Sequence, residues 1–245
     1  MKTKISLTLL IFIVLLSGCG LHRGYVLFNE KPDELIATEK VKAFLKQNPN
    51  ASIVLRVPIS TNSATQSDPN SLVYNAIEKE LVLSGFNLKD RGLFNQVINS
   101  QTSLDYSKIE ELAGADLILE LVKIDRSVPF TTNIAYTESG EQVILENGEY
   151  TRYGAMIEFK LTLVRNNEYG GSFSFYYTPC TQRNSDCNCS VPYKYGGYKF
   201  YPDKVANFCG SDRRSGAVKS YEVMQQDDLV AFVRDGVKKV IKSIK

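Results

Sequence analysis

The stretch SLVYNAIEKELVLSGFNLKD, residues 71–90, decides the fold class. Leu72, Ile77, Leu81 and Val82 recur at helical spacing, so its first part is read as a helix. Gly85 stands where a helix C-cap belongs, because a residue without Cβ can enter the left-handed conformation that closes a helix. Phe86 to Asp90 then reads as a short strand. Upstream, SIVLRVPI, residues 52–59, is short, β-branched and nearly continuous in apolar character, which suits a strand buried on both faces. Polar residues Thr61 to Asn70 connect the two. Downstream, helices are expected around Leu93 to Ile98 and Ile109 to Leu112, followed by a strand from Asp116 to Ile124. Strands interleaved with helices predict a mixed sheet covered by helices, an α+β fold.

Toward the amino terminus, Leu35, Ile36, Val41, Phe44 and Leu45 keep helix-compatible spacing from Asp33 until Asn48-Pro49-Asn50 ends the run. Toward the carboxyl terminus the period changes to two. Ala155, Ile157, Phe159, Leu161 and Leu163 alternate with polar residues, Asn166 to Gly171 carries turn chemistry, and Phe173, Phe175 and Tyr177 form the apolar face of a returning strand. Val128, Phe130, Ile134 and Tyr136 also alternate, and Val143 to Leu145 follow Ser139-Gly140, so a second hairpin is expected within 128–150. Leu229, Phe232, Val233, Val237, Val240, Ile241 and Ile244 predict a long amphipathic helix packed on the sheet. Its acids, Asp227 and Asp228, lie at the start and its lysines, Lys238, Lys239, Lys242 and Lys245, toward the end, the polarity a helix dipole favours.

The chain opens MKTKISLTLLIFIVLLSGCG. Lys2 and Lys4 precede an apolar run to Leu16 that is shorter than the roughly 20 residues a spanning helix needs. That is the profile of a cleaved leader. Leu16-Ser17-Gly18-Cys19 resembles the lipobox of bacterial lipoproteins, which implies a diacylglyceryl group on the Cys19 thiol, cleavage before it, and acylation (palmitate or a similar chain) of the new amino terminus. Two or more chains anchor stably where one holds only marginally. Gly20 in place of an acid, and no acidic run after it, imply an outer-membrane anchor facing the periplasm. Residues 1–18 are therefore expected as a signal peptide, 19–32 as a lipidated tether, and 33–245 as a single periplasmic αβ domain. Removing Lys2 and Lys4 leaves 27 basic residues against 27 acidic. A neutral chain gives no electrostatic case for nucleic acid.

Two stretches, IEKELVLSGFNLKDRGLFNQV (77–97) and IEELAGADLILELVKID (109–125), resemble the periplasmic αβ domain shared by the curli-secretion lipoprotein, the lipoprotein activators of penicillin-binding proteins, and the TolB amino-terminal domain. In that group a glycine-capped helix leads to a short strand ending near an acid-Arg pair, a helix follows, and an Ala-Gly-Ala-Asp-like turn opens a long strand. The resemblance covers about 75 residues, from Ile53 to Asp125. It implies an anticodon-binding-domain-like αβ sandwich and a cell-wall synthase as partner.

Four cysteines remain beyond Cys19: Cys180, Cys187, Cys189 and Cys209, all in a loop insertion at 179–215. In an oxidising periplasm the expectation is two disulfides. Spacings of six, one and nineteen residues do not match zinc knuckles. A Cys187 to Cys189 ring would be strained, so each of these is expected to pair outward, with Cys180 or Cys209. The same insertion holds VPYKYGGYKFYPDK, residues 191–204. Tyr193, Tyr195, Tyr198, Phe200 and Tyr201 there are candidate partner-binding residues, because tyrosines give stiff amphipathic contact area and cross-links lower the entropy lost on ordering a loop. The competing account is that these aromatics pack on the adjacent sheet.

The only histidine, His22, lies three residues from the lipid attachment point, and no nucleophile elbow, phosphate loop or metal-spaced cluster is present. No catalytic residue, cofactor or metal is therefore assigned. The expected function is non-enzymatic: an outer-membrane lipoprotein whose periplasmic domain binds an envelope protein, with peptidoglycan as a further candidate partner. Two alternatives stand beside it. One is a subunit of a curli-type secretion pore, with 128–150 as candidate spanning hairpins weakened by Pro129, Asn133, Glu146 and Glu149. The other is a cell-envelope glycan hydrolase, whose paired carboxylates need not be neighbours in sequence.

Overall fold

The computed structural model describes residues 22–57, 70–94, 114–146, 148–183, 189–194, 199–200 and 224–245. In chain order the elements are β1 (His22–Tyr25), β2 (Glu34–Ala37), α1 (Glu39–Gln47), β3 (Ser52–Arg56), α2 (Ser71–Leu83), β4 (Asn87–Leu88), β5 (Leu117–Thr132), β6 (Ile134–Tyr136), β7 (Gln142–Ile144), β8 (Tyr150–Leu163), β9 (Glu168–Tyr177), β10 (Ser190–Lys194), β11 (Lys199–Phe200) and α3 (Gln226–Ile244). One sheet has six strands in the order β2-β9-β8-β5-β3-β4, the other five in the order β11-β10-β1-β6-β7. The class is α+β with a mixed sheet. Where the sequence suggested one domain from 33 to 245, contacts group the chain into two compact units. The first takes the described residues up to Glu30, Pro129–Tyr153, and those from Thr178 to Phe200; the second takes those in 31–128, 154–177 and 224–245.

The larger, second unit is built around β3, which runs parallel to both β4 and β5. Alternation along these strands supplies two cores. Ile53, Leu55, Leu117, Leu119 and Leu121 join the main core under α2 and α3, while Val54 and Ile118 join Phe94, Ala115 and Val164 in a second cluster. This is the strand buried on both faces that its continuous apolar character predicts. The β3–β5 register is pinned at its start: the Asp116 carboxylate accepts the Ser52 N–H at 2.7 Å and the Ser52 hydroxyl at 2.6 Å.

Helix α2 ends in a Schellman motif. Gly85 has φ +86°, its N–H donates to the Val82 carbonyl, and the Phe86 N–H reaches back to Leu81, beside which the Phe86 ring is buried. The β8–β9 hairpin places Phe159 opposite Phe173 and Ile157 opposite Phe175, all fully buried, as the period of two predicts. Helix α3 covers them with Val233, Val237, Val240 and Ile244. One charge lies within this core: Glu80 of α2, 3% exposed, accepts from Arg234 of α3 at 2.8 Å.

The helix expected from Asp33 starts later. Glu34–Ala37 is a strand on the edge of the six-stranded sheet, paired antiparallel with β9, and only from Glu39 does α1 begin. Thr38 sets the boundary: its side-chain oxygen accepts the Val41 N–H while its own N–H donates to the Gly170 carbonyl. Leu35 and Ile36 are consequently exposed on the sheet edge rather than buried on a helix face.

In the first unit β1 pairs antiparallel with β10 and meets β6 at Tyr25 and Tyr136. The expected second hairpin is β6–β7, with Ile134 opposite Ile144. The core combines Val26, Phe28, Ala135, Tyr150, Val191, Tyr193 and Phe200 with Cys180 and Cys189. The tether expected over 19–32 is therefore shorter, because His22–Tyr25 is already sheet. Gly24, Val26 and Phe28 point inward in strict alternation, and the pattern was hidden by the glycine that begins it. That glycine is a packing requirement: a Cβ at Gly24 would lie 2.6 Å from the Tyr136 carbonyl oxygen and 2.8 Å from the Phe200 ring.

The expected signal peptide with Cys19, the connection at 61–69, most of the two helices expected within 93–112, and Cys187, Cys209, Tyr195, Tyr198 and Tyr201 lie outside the described residues.

Candidate partner-binding site

The insertion that holds the candidate aromatics belongs to the first unit, and a disulfide fixes its base. Cys180 and Cys189 are bonded, with Cα atoms 5.5 Å apart and nine positions between them in sequence. This is one of the outward pairings expected for Cys189. The segment after β1 joins both cysteines, since the Val26 N–H donates to the Cys189 carbonyl at 2.9 Å and the Phe28 N–H to the Cys180 carbonyl at 3.2 Å. Strand β10 leaves directly from Cys189, so the cross-link sets where the aromatic stretch enters the sheet.

Of the five aromatics singled out in sequence, two are structural. Tyr193 is fully buried and Phe200 nearly so; they face each other across β10 and β11 with ring centroids 5.0 Å apart, and His22 packs on Tyr193 at 5.6 Å. Tyr193 and Phe200 are thus core residues of the first unit and offer no surface to a partner. The side chains between them in the β10–β11 connection include Tyr195 and Tyr198, and Tyr201 follows β11 directly. The buried pair therefore acts as the foundation on which those three are mounted.

A second aromatic group was not legible in sequence. Tyr25 stacks on Tyr136 with centroids 5.2 Å apart and planes 11° from parallel, and the Arg183 guanidinium lies 5.4 Å over the Tyr25 ring while donating to the Glu138 carbonyl. These residues come from three segments far apart in the chain, and no local spacing connects them. Deeper in the same unit Tyr150 is buried with its hydroxyl unbonded, and burial pushes its pKa well up against the opposing charge of Arg152. Burial in turn lowers the Arg152 pKa.

The second unit carries a polar cavity of about 370 Å³ lined by Glu78, Leu88, Lys89, Asp90, Arg91 and Gly92. Arg91 reaches Glu78 at 3.4 Å and covers the Tyr74 ring at 5.0 Å. Asp90 accepts the Leu93 N–H at 2.7 Å and so caps the turn that follows. Burial raises the Glu78 carboxyl above its ordinary value; Arg91 opposes the shift and Asp90 adds to it. Two cations and two anions balance here, so the cavity has no single preferred ligand charge. Among the described residues no group of three or more His, Cys, Asp or Glu side chains is placed to hold a metal, and no helix is long and apolar enough to cross a membrane.

No family model matches the chain, and no curated protein matches it. Solved structures do. The PelC dodecamer from Paraburkholderia phytofirmans is similar over 80% of this chain and 90% of that one, at 11% identity and a TM-score of 0.33. The hypothetical protein CT253 from Chlamydia trachomatis is similar over 80% of this chain and 98% of that one, at 10% identity and a TM-score of 0.36. Likeness at this level carries no argument about what this chain does.

Proposed function

We propose that this chain is an outer-membrane lipoprotein, anchored through acyl chains on Cys19, that acts by binding a periplasmic partner protein rather than by catalysis. The observation that carries the reading is Leu16-Ser17-Gly18-Cys19 behind a short basic and apolar leader, with β1 beginning at His22, three residues later. Cleavage before Cys19 would remove no residue of any described element. Anchorage confines the folded part to a thin layer beside the membrane and raises its effective concentration for a partner there.

The contact surface is assigned to Tyr195, Tyr198 and Tyr201, since Tyr193 and Phe200 are spent on the core beneath them. A cell-wall synthase is the partner class that the family resemblance supports, and so is the finer fold assignment, an anticodon-binding-domain-like sandwich. Parallel β4, β3 and β5, the glycine-closed α2 and the Ala113-Gly114-Ala115-Asp116 turn before β5 are in keeping with that sandwich.

Cross-linking in intact cells followed by mass spectrometry tests the reading. Replacing Tyr195, Tyr198 and Tyr201 with serine should abolish the cross-linked partner and leave the thermal midpoint nearly unchanged. Retention of the partner, or a large loss of stability, would assign these tyrosines to packing instead.

A further inference from the structure

We propose that the His22 end of the five-stranded sheet is a phospholipid-headgroup site, in which Arg23, Lys194 and Lys199 seat the first unit on an anionic bilayer surface beside its anchor. This rests on the acylation of Cys19 proposed above and adds to it a specific face and a specific ligand chemistry.

The first support is chain length. Three residue steps separate Cys19 from His22, and a fully extended chain covers at most about 11 Å in that distance. His22 is already paired with Tyr193 in the sheet. The strand end is therefore held within roughly one Debye length of the headgroups at physiological salt. A unit joined by so short a connection meets the bilayer with whatever surface surrounds that strand end.

The second support is what the register puts there. Lys194 is the next residue beyond Tyr193 toward the anchored end, and it lies directly opposite Lys199 across the β10–β11 pair. Tyr193 and Phe200 turn inward, so pleat alternation sends Lys194 and Lys199 to the other face, which Arg23, opposite Pro192, shares. All three cations are exposed. Like charges directly opposite each other across two strands repel. A phosphate oxygen accepting hydrogen bonds from both ammonium groups would turn that repulsion into attraction.

The acids at this end are Glu138 and Glu141, in the turn between β6 and β7. Strand order places that turn toward the β7 edge, with β1 and β6 between it and the lysine pair on the β10–β11 edge. The basic patch is rigid rather than adaptive, because the stacked Tyr193 and Phe200 rings and the Cys180–Cys189 bond lie directly behind it. A headgroup would meet cations already in place.

The test uses the full chain purified from membranes and reconstituted into vesicles, either phosphatidylethanolamine with phosphatidylglycerol or phosphatidylcholine alone. Lysines are acetylated with an amine-reactive ester over a time course and followed by peptide mass spectrometry. Lys194 and Lys199 should react about fivefold more slowly on the anionic vesicles, the factor set by attraction of one cation to an anionic leaflet. High salt should abolish the difference, and Lys40 in the second unit should react alike on both. Equal rates at Lys194 and Lys199 on the two compositions overturn the inference. Intact mass of the same preparation separates the two readings: an acylated chain with equal rates rejects only the headgroup site, while an unmodified Cys19 thiol rejects both.

Discussion

Removing the cross-link at the base of the aromatic insertion, with C180A/C189A, should loosen the first unit selectively. The bond closes a loop with a sequence separation of nine residues. Constraining the unfolded chain by a loop of that size contributes about 2.7 kcal/mol. The Val26 and Phe28 amides report on it directly, because they donate to the carbonyls of Cys189 and Cys180. If their exchange proceeds through opening of this unit, a loss of about 2.7 kcal/mol accelerates it about a hundredfold at 25 °C. Both cysteines are buried, so the lost packing of two sulfur atoms makes that factor a lower bound. Hydrogen exchange read by peptide mass spectrometry measures the effect, with amides of Val237 to Ile241 in α3 as the reference that should not change. Unaltered exchange at Val26 and Phe28 would refute the reasoning, since it would mean that the backbone pairing holds without the bond.

Other consequences follow from the second unit. Glu78 has a raised pKa in the folded state, so it binds its proton more tightly folded than unfolded. Its contribution therefore favours folding below the unfolded value, near 4.5, and is lost as pH rises through the folded value. Glu78→Gln should flatten the thermal midpoint against pH from 4.5 upward, and an unchanged slope would contradict the burial account. Gly85→Ala forces a Cβ into the left-handed region and should cost about 1–2 kcal/mol in urea unfolding, whereas a neutral result would deny the Schellman role. Arg234→Ala leaves the Glu80 carboxylate, its side chain only 4% exposed, without its partner and should cost about 1–3 kcal/mol. Arg234→Lys should restore part of that loss, which unfolding midpoints of the two variants would show.

The parts of the fold that were legible in sequence are those whose pattern is local and long. Helix α3, the β8–β9 hairpin and the doubly buried β3 each repeat one period over enough residues to exclude the alternatives. The edge strand β2 is four residues long, too short for a period to show, and Leu35 and Ile36 happen to stand at helical spacing from Val41. Only Thr38, acting as a cap, marks the true boundary. The five-stranded sheet was illegible for a different reason. Its strands come from 22–25, 134–144 and 190–200, and none buries a core without the others. That is why Tyr193 and Phe200 looked like surface residues in a loop: the strand they pack beneath, His22–Tyr25, lies about 170 residues away and reads as a tether. The Tyr25, Tyr136 and Arg183 cluster was invisible on the same grounds.

The account depends most on acyl chains at Cys19 holding the molecule at a bilayer. Intact mass spectrometry of the chain extracted from membranes in detergent reads this directly. The predicted species runs from Cys19 to Lys245 and carries the added mass of its acyl groups. A polypeptide that still begins at Met1, with a free thiol at Cys19, would contradict it.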